Sequence, residues 1–210
     1  MQIRNTPDRW GAVQQTLHWL VVPLALVQLG LGMAMDDLPR ETLETAVAFG
    51  LHASLGLTIG AVMVMRFLWR LVNPVPLMPE RLGRPARAAV YATHYGFYLL
   101  LVFLPATGYL MASARGYTVP FFAWTLPNVV GPSESLAEAF LYAHLIGINL
   151  IYLALALHIA GALRHEFVLR DNTFRRMTPL PPREGDHRAR TTRRSSEPER
   201  LRRGGAGGRT

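Results

Sequence analysis

Residues 144–161 read HLIGINLIYLALALHIAG, an apolar stretch that carries two histidines, His144 and His158. They lie 14 residues apart, and on an α-helix 14 residues rise about 21 Å and complete almost four turns. Both imidazoles therefore project from nearly the same helix face. Gly147 and Gly161 each follow a histidine by three positions, which predicts space beside each ring. A helix with one imidazole near each membrane face and room for a flat molecule beside it is a candidate scaffold for two haem groups.

The composition is that of a membrane protein with a basic tail. Half of the 210 residues are hydrophobic, and residues 164–210 hold 13 of the 22 arginines against six acidic residues. Because most of the net charge of +8 lies in this tail, a cytoplasmic, lipid-facing segment explains it better than nucleic-acid binding. The chain has no cysteine, which excludes disulfides, iron–sulfur clusters, thiolate ligation and covalently attached haem.

Four apolar runs predict an all-α membrane protein, a four-transmembrane-helix bundle formed by residues 1–165. The predicted helices cover residues 11–35, 46–71, 88–112 and 136–164. A signal peptide is the alternative for the first run, but the run is long for one and lacks a small-residue cleavage site, so we predict a retained helix. Residues 166–210 form the basic tail, which we expect to be largely disordered from about residue 171.

Arginine bias between the helices predicts the orientation. The N-terminus, the second connector and the tail are rich in arginine, whereas the first connector and the third loop contain only Arg40 and Arg115. The positive-inside rule then places both termini in the cytoplasm of a bacterial cell with the protein in its inner membrane. Tyr117 to Trp124 in the third loop suit an interfacial aromatic belt.

This topology sorts five histidines into two levels. His52 and His144 lie near the outer face and have no rival there, so they form the only pair available to an outer haem. His18, His94 and His158 lie near the cytoplasmic face. His158 belongs to the helix with two ligands, but depth alone does not choose between His18 and His94. Neutral imidazole is a common iron ligand, and two at one depth can fill both axial positions.

The chain resembles the bacterial cytochrome b561 family, part of the wider group that includes the cytochrome b subunits of nickel hydrogenases and formate dehydrogenases. The resemblance is carried by RWGAVQQTLHWL (9–20), LHASLGLTIGAVMVMRFLWRLVNPVP (51–76), THYGFYLLLVFLPATGYLM (93–111) and residues 144–179. It implies a di-haem protein with one haem b on His52 and His144 and another on His18 and His158. It leaves His94 as a residue beside the haem or a quinone.

Arginines gather at the predicted cytoplasmic level. Arg66 and Arg70 are four residues apart and hence share a helix face, while Arg164 closes the fourth helix and His165 follows it. These arginines are candidates to bind haem propionates or a quinone, and anchoring to membrane lipid is the alternative for each of them.

The predicted function is electron transfer across the membrane through two bis-histidine haems. The resemblance implies a quinone as one partner, and the other is a small reductant such as superoxide, a soluble cytochrome or a periplasmic dehydrogenase subunit. A quinone oxidoreductase and an anchor subunit of a larger periplasmic oxidoreductase are both open. A metal-ion transporter is a third alternative, but the spans contain almost no carboxylate and no cysteine to complete a cation site.

Overall fold

The computed structural model describes residues 2–39, 41–78 and 83–181. Four long helices, α1 (Ala12–Asp37), α2 (Leu43–Leu71), α3 (Arg84–Ala114) and α4 (Glu134–Leu163), dominate it. Each helix is long and apolar enough to cross a membrane. The prediction of an all-α membrane protein with four transmembrane helices is therefore confirmed.

Local sequence signals explain where the helices begin and end. At the start of α2, Thr42 accepts a hydrogen bond from the Thr45 amide at 3.3 Å, a common N-terminal cap. Pro85 lies in the first turn of α3, where its missing N–H costs nothing. The last three helices begin two to four residues before their predicted starts, because these caps and first turns precede the apolar runs.

The buried core lies among the first three helices. α1 packs along α2, and α2 packs along α3, whereas α4 approaches other described helices closely at few places. The core side chains are Leu17, Val21, Ile59, Val62, Met63 and Tyr98. In contrast, α4 buries only Ala137, Gly147 and Ile151 and presents most of its apolar side chains outward. Those side chains suit contact with lipid.

Two glycines allow close approach between helices. A Cβ added at Gly60 of α2 would lie 2.9 Å from Pro105 Cγ of α3, and one added at Gly147 of α4 would lie 2.8 Å from Leu104 Cδ2. The prediction that Gly147 leaves space beside His144 is therefore wrong, because α3 fills that position. A Cβ added at Gly161 would meet no described atom within 4 Å beyond its own turn of the helix. The small-residue face of α2 serves helix packing.

A short hairpin lies in the loop between α3 and α4. Strand β1 (Val119–Phe121) pairs antiparallel with β2 (Trp124–Leu126), a feature that the sequence did not predict. The buried Ser54 of α2 anchors the hairpin, because its Oγ accepts a hydrogen bond from the Phe122 amide at 2.8 Å. Tyr117, Phe122 and Trp124 are exposed, as an interfacial aromatic belt requires.

Residues 163–181 belong to a second compact unit. Arg164–Leu169 form a π-helix and Arg175–Met177 a 3₁₀-helix. Burial alone raises the pKa of the Asp171 carboxyl, but hydrogen bonds from Thr173 and His165 outweigh it and hold that pKa below its usual value. The tail that was expected to be disordered thus begins with regular structure held by local hydrogen bonds, and its part from residue 182 onward lies outside the described residues.

Gly60→Ala should destabilise the folded protein by about 1–3 kcal/mol, because the added methyl group meets the rigid ring of Pro105. Gly30→Ala in α1 is the matched control, since nothing lies within 4 Å of a Cβ there and alanine favours a helix over glycine. Thermal unfolding of both variants in detergent measures the difference. Equal midpoints for the two variants would contradict the close α2–α3 approach.

Candidate functional site

The outer pair of histidines comes together between α2 and α4. The ring centres of His52 and His144 lie 6.4 Å apart, and the ring planes are inclined by 64°. Both residues are half-buried. Two imidazoles that bind one metal ion from opposite sides, with bonds of about 2 Å, have ring centres about 6 Å apart. The pair therefore has the spacing of two ligands to one metal.

Hydrogen bonds prepare His144 for ligation. Its Nδ1 lies 3.0 Å from the carbonyl oxygen of Leu104, and a carbonyl can only accept, so Nδ1 carries the proton. The Nε2 lone pair is then available to a metal. Thr107 Oγ1 lies 3.0 Å from the same nitrogen and donates to the same carbonyl at 2.9 Å. This arrangement fixes the tautomer and the direction of the ring.

Small residues border the outer rings. A Cβ added at Gly32 would lie 3.3 Å from His52 Cε1, and one added at Gly108 would lie 3.4 Å from His144 Cε1. The sequence predicts this role for Gly147, but Gly147 packs on α3 instead. From α1, Gln28 Nε2 donates to the backbone carbonyl of His52 on α2 at 3.0 Å. Buried His52 Nδ1 has no hydrogen-bond partner among the described residues.

Three histidines meet at the inner level. The ring centre of His158 on α4 lies 6.2 Å from that of His18 on α1, with planes inclined by 76°. It lies 5.5 Å from that of His94 on α3, with planes inclined by 84°. Phe97 packs against the same ring at 5.3 Å. The structure thus brings all three predicted inner histidines together.

The two candidate partners of His158 differ in their hydrogen bonds. His94 Nδ1 donates to the carbonyl of Val90 at 2.7 Å, so its Nε2 is unprotonated. His18 Nδ1 lies 3.0 Å from Arg66 Nη1. A guanidinium can only donate, so His18 Nδ1 accepts this bond and the proton of the neutral ring lies on Nε2.

Each histidine pair supplies only two ligands, which indicates a metal that already has its other ligands when it binds. No cluster of three or more His, Cys, Asp or Glu side chains suited to a metal ion occurs in residues 2–39, 41–78 and 83–181. Two imidazoles alone do not complete a tetrahedral or octahedral ion. Iron in a porphyrin has four ring nitrogens and needs only two axial ligands. The histidine pairs therefore fit haem and argue against a site for a transported cation.

The inner arginines have different surroundings. Arg66 is buried, at 8% exposure. The guanidinium of Arg70 is half-buried and lies 5.4–5.9 Å from the ring centres of Trp10, Tyr95 and Tyr98, within the range of cation–π attraction. Arg164 opens the π-helix that follows α4.

Several polar residues near the histidines were missed in the sequence. Gln14 is fully buried and donates to the Tyr98 hydroxyl at 3.2 Å, and Thr107 and Gln28 support the outer pair. A polar side chain within an apolar run is itself a signal of function. That signal was present for all three residues, although it does not say which neighbour each one contacts.

Comparison with known proteins agrees with this geometry. The family model of the prokaryotic cytochrome b561 matches residues 9–180. Cytochrome b561 homolog 2 of Escherichia coli (strain K12) is 31% identical over 183 residues, which cover 84% of this chain and 95% of the relative. Probable superoxide oxidase CybB of Yersinia pestis is 28% identical over 171 residues, covering 81% and 96%. Cytochrome b562 of Cereibacter sphaeroides is 30% identical over 169 residues, covering 79% and 92%.

The match spans all four helices and all five span histidines, and the relatives are covered over nearly their whole length. The helices, the paired imidazoles and the family match therefore lead to one conclusion. This chain belongs to the prokaryotic cytochrome b561 family, as a multi-pass bacterial membrane protein that binds b-type haem and transfers electrons across the membrane.

Proposed function

We propose that the chain holds two b haems and passes electrons between them to or from a quinone. The observation that carries this proposal is the recurrence of one geometry at two levels of α4, with ring centres 6.4 Å apart in the outer pair and 6.2 Å apart in the pair of His18 and His158. Bound haem supplies one-electron chemistry, and an iron with two axial imidazoles has no open position for a substrate.

The separation within the outer pair serves as a reference for the inner pair. His52 and His144 have no competitor at their level, and the 6.2 Å between His18 and His158 is close to their 6.4 Å. His94 lies closer to His158, at 5.5 Å. The match between the 6.2 Å and 6.4 Å separations favours His18 and His158 as the inner ligands and His94 as a neighbour. The hydrogen bond from Arg66 to His18 opposes ligation by His18, so Arg66 must move when haem binds.

Arg70 and its aromatic neighbours support a quinone site at the inner level. Half-buried Arg70 lies over the ring of Tyr95, a residue that is 50% exposed. A quinone arriving from the bilayer can reach this surface, and a guanidinium stabilises the negative charge that a quinone oxygen gains on reduction. Arg164 lies in the second compact unit, and its assignment to a propionate or a quinone stays a prediction from the sequence.

We propose the inner membrane as the location, with both termini and the inner histidine level on the cytoplasmic side. The arginine bias between connectors supports this orientation. The similarity to the probable superoxide oxidase of Yersinia pestis supports a small reductant as the electron donor on the opposite side. Purification of the chain with a haem-free catalytic subunit would instead favour the anchor-subunit alternative.

The two-haem proposal predicts two non-covalent haems per chain in a pyridine haemochrome assay, with low-spin spectra. His52→Ala or His144→Ala should remove the outer haem alone, and His18→Ala or His158→Ala the inner haem alone, because each loss leaves an iron with one axial imidazole.

His94→Ala is the matched control, since it removes an imidazole from the same inner cluster while both proposed ligands stay. It should retain two haems and change only the inner potential. Loss of the inner haem in His94→Ala together with its retention in His18→Ala would reverse the ligand assignment.

The orientation is tested with reporter fusions. Fusions after residue 40 and within residues 115–130 should report the periplasm, and a fusion after residue 175 should report the cytoplasm, because arginine-rich segments remain inside. A cytoplasmic signal from residues 115–130 would exchange the two faces and move the quinone site with them.

Arg70→Gln should lower quinone turnover about tenfold or more, the effect of losing one hydrogen bond to a charged group, while both haems remain. Arg115→Gln, in the loop on the other side of the bundle, is the control and should leave turnover unchanged. Steady-state quinone reduction with a small-molecule donor, together with haem content, measures both effects. Normal turnover in Arg70→Gln would remove this residue from the quinone site.

A further inference from the structure

Arg66 is a buried cation without an acidic partner. Its side chain is 8% exposed, and its buried Nε has no hydrogen-bond partner among the described residues. The salt bridges in residues 2–39, 41–78 and 83–181 join His165 to Asp171 and Arg175 to Glu166, and none reaches Arg66. A buried charge is costly unless it is paired and fully hydrogen-bonded. His18 and Tyr98 are polar neighbours of the guanidinium, but neither carries a negative charge, so an anion would complete the surroundings of Arg66.

The hydrogen bond from Arg66 to His18 holds this histidine in a tautomer that cannot ligate through Nε2. Nδ1 accepts from the guanidinium at 3.0 Å, so Nε2 carries the proton of the neutral ring. The contrast with His144 is direct, because its Nδ1 donates to the carbonyl of Leu104 and leaves Nε2 free. Ligation by His18 through Nε2 thus requires the Arg66 bond to break.

We propose that Arg66 is the carboxylate clamp of the inner haem, and that it exchanges His18 for a haem propionate when the haem binds. This inference rests on the proposed pairing of His18 with His158. A guanidinium binds a carboxylate through two charge-assisted hydrogen bonds, which are stronger than one bond to a neutral imidazole. Release of Nδ1 lets the ring lose its proton from Nε2 and gain one at Nδ1, with no net change in charge. Carboxylate binding and iron ligation are therefore coupled through one side chain.

The position of Arg66 favours a haem carboxylate over a lipid phosphate. Arg66 is more buried than Arg70, and its guanidinium contacts one of the proposed ligands directly. Tyr98 also lies beside it, with the ring centre 5.9 Å from the guanidinium carbon. Arg70 instead lies among the rings of Trp10, Tyr95 and Tyr98. The two arginines thus divide the inner level, with Arg66 serving the haem and Arg70 the quinone.

The test compares haem b with its dimethyl ester, in which both propionates are blocked. The His52→Ala/His144→Ala protein isolates the inner site, and its haem-free form is titrated with each porphyrin. It should bind haem b about tenfold or more tightly than the ester. Adding Arg66→Gln should bring the two affinities nearly together, whereas Arg66→Lys, which keeps the charge, should retain part of the preference. Arg115→Gln is the control and should retain all of it.

A preference for haem b that is unchanged in Arg66→Gln would overturn the clamp. The clamp is also overturned if the ester binds as tightly as haem b and the Arg66→Gln protein loses bound phospholipid. The anion beside Arg66 is then a lipid phosphate. If the parent protein binds neither porphyrin at the inner level, the two-haem proposal itself fails. Failure of the clamp and failure of the two-haem proposal therefore give different results.

A second measurement requires no haem. Nitrogen-15 chemical shifts of labelled histidine in the haem-free protein should identify His18 as the Nε2–H tautomer, and Arg66→Gln should remove that preference. His144, held as the Nδ1–H tautomer by Leu104, is the internal control. Finding His18 as the Nδ1–H tautomer in the haem-free parent would contradict the exchange.

Discussion

The two imidazoles on one face of α4 are the constraint on which the arrangement of the other helices depends. In the proposed pairing each has a second imidazole at its own depth, and two different helices supply them, with His52 from α2 and His18 from α1. The resulting ring separations, 6.4 and 6.2 Å, agree within 0.2 Å although the residues around the pairs differ. Because α4 alone contributes to both levels, the distance between the levels follows from its helical rise.

The two levels differ in how the chain controls the ring nitrogens. At the outer level, a backbone carbonyl and a threonine hydroxyl hold His144 ready to ligate. At the inner level, Arg66 holds His18 in the opposite tautomer. The hydrogen bonds at the outer level thus preorganise the His144 ring, whereas the proposed role of Arg66 requires an exchange of hydrogen bonds at the inner level.

Polar side chains within the apolar spans form the link between packing and function. Gln14, Tyr98 and Arg66 connect the core of the first three helices to the inner histidines. On the outer side, Ser54 ties the hairpin to α2 two residues after His52. Each is costly to bury unless it is bonded. These contacts hold the side chains around the histidines in place on the helices.

The sequence by itself determined the four spans, the class of fold, the five span histidines and their two depths, because hydrophobic length and helical periodicity are local properties of the chain. Tertiary structure decided which residues meet. The 5.5 and 6.2 Å separations around His158, the bond from Arg66 to His18 and the contact of Gly147 with Leu104 each join two different helices. Depth places residues on one level, but only the rotation and packing of each helix determine which side chains face one another there.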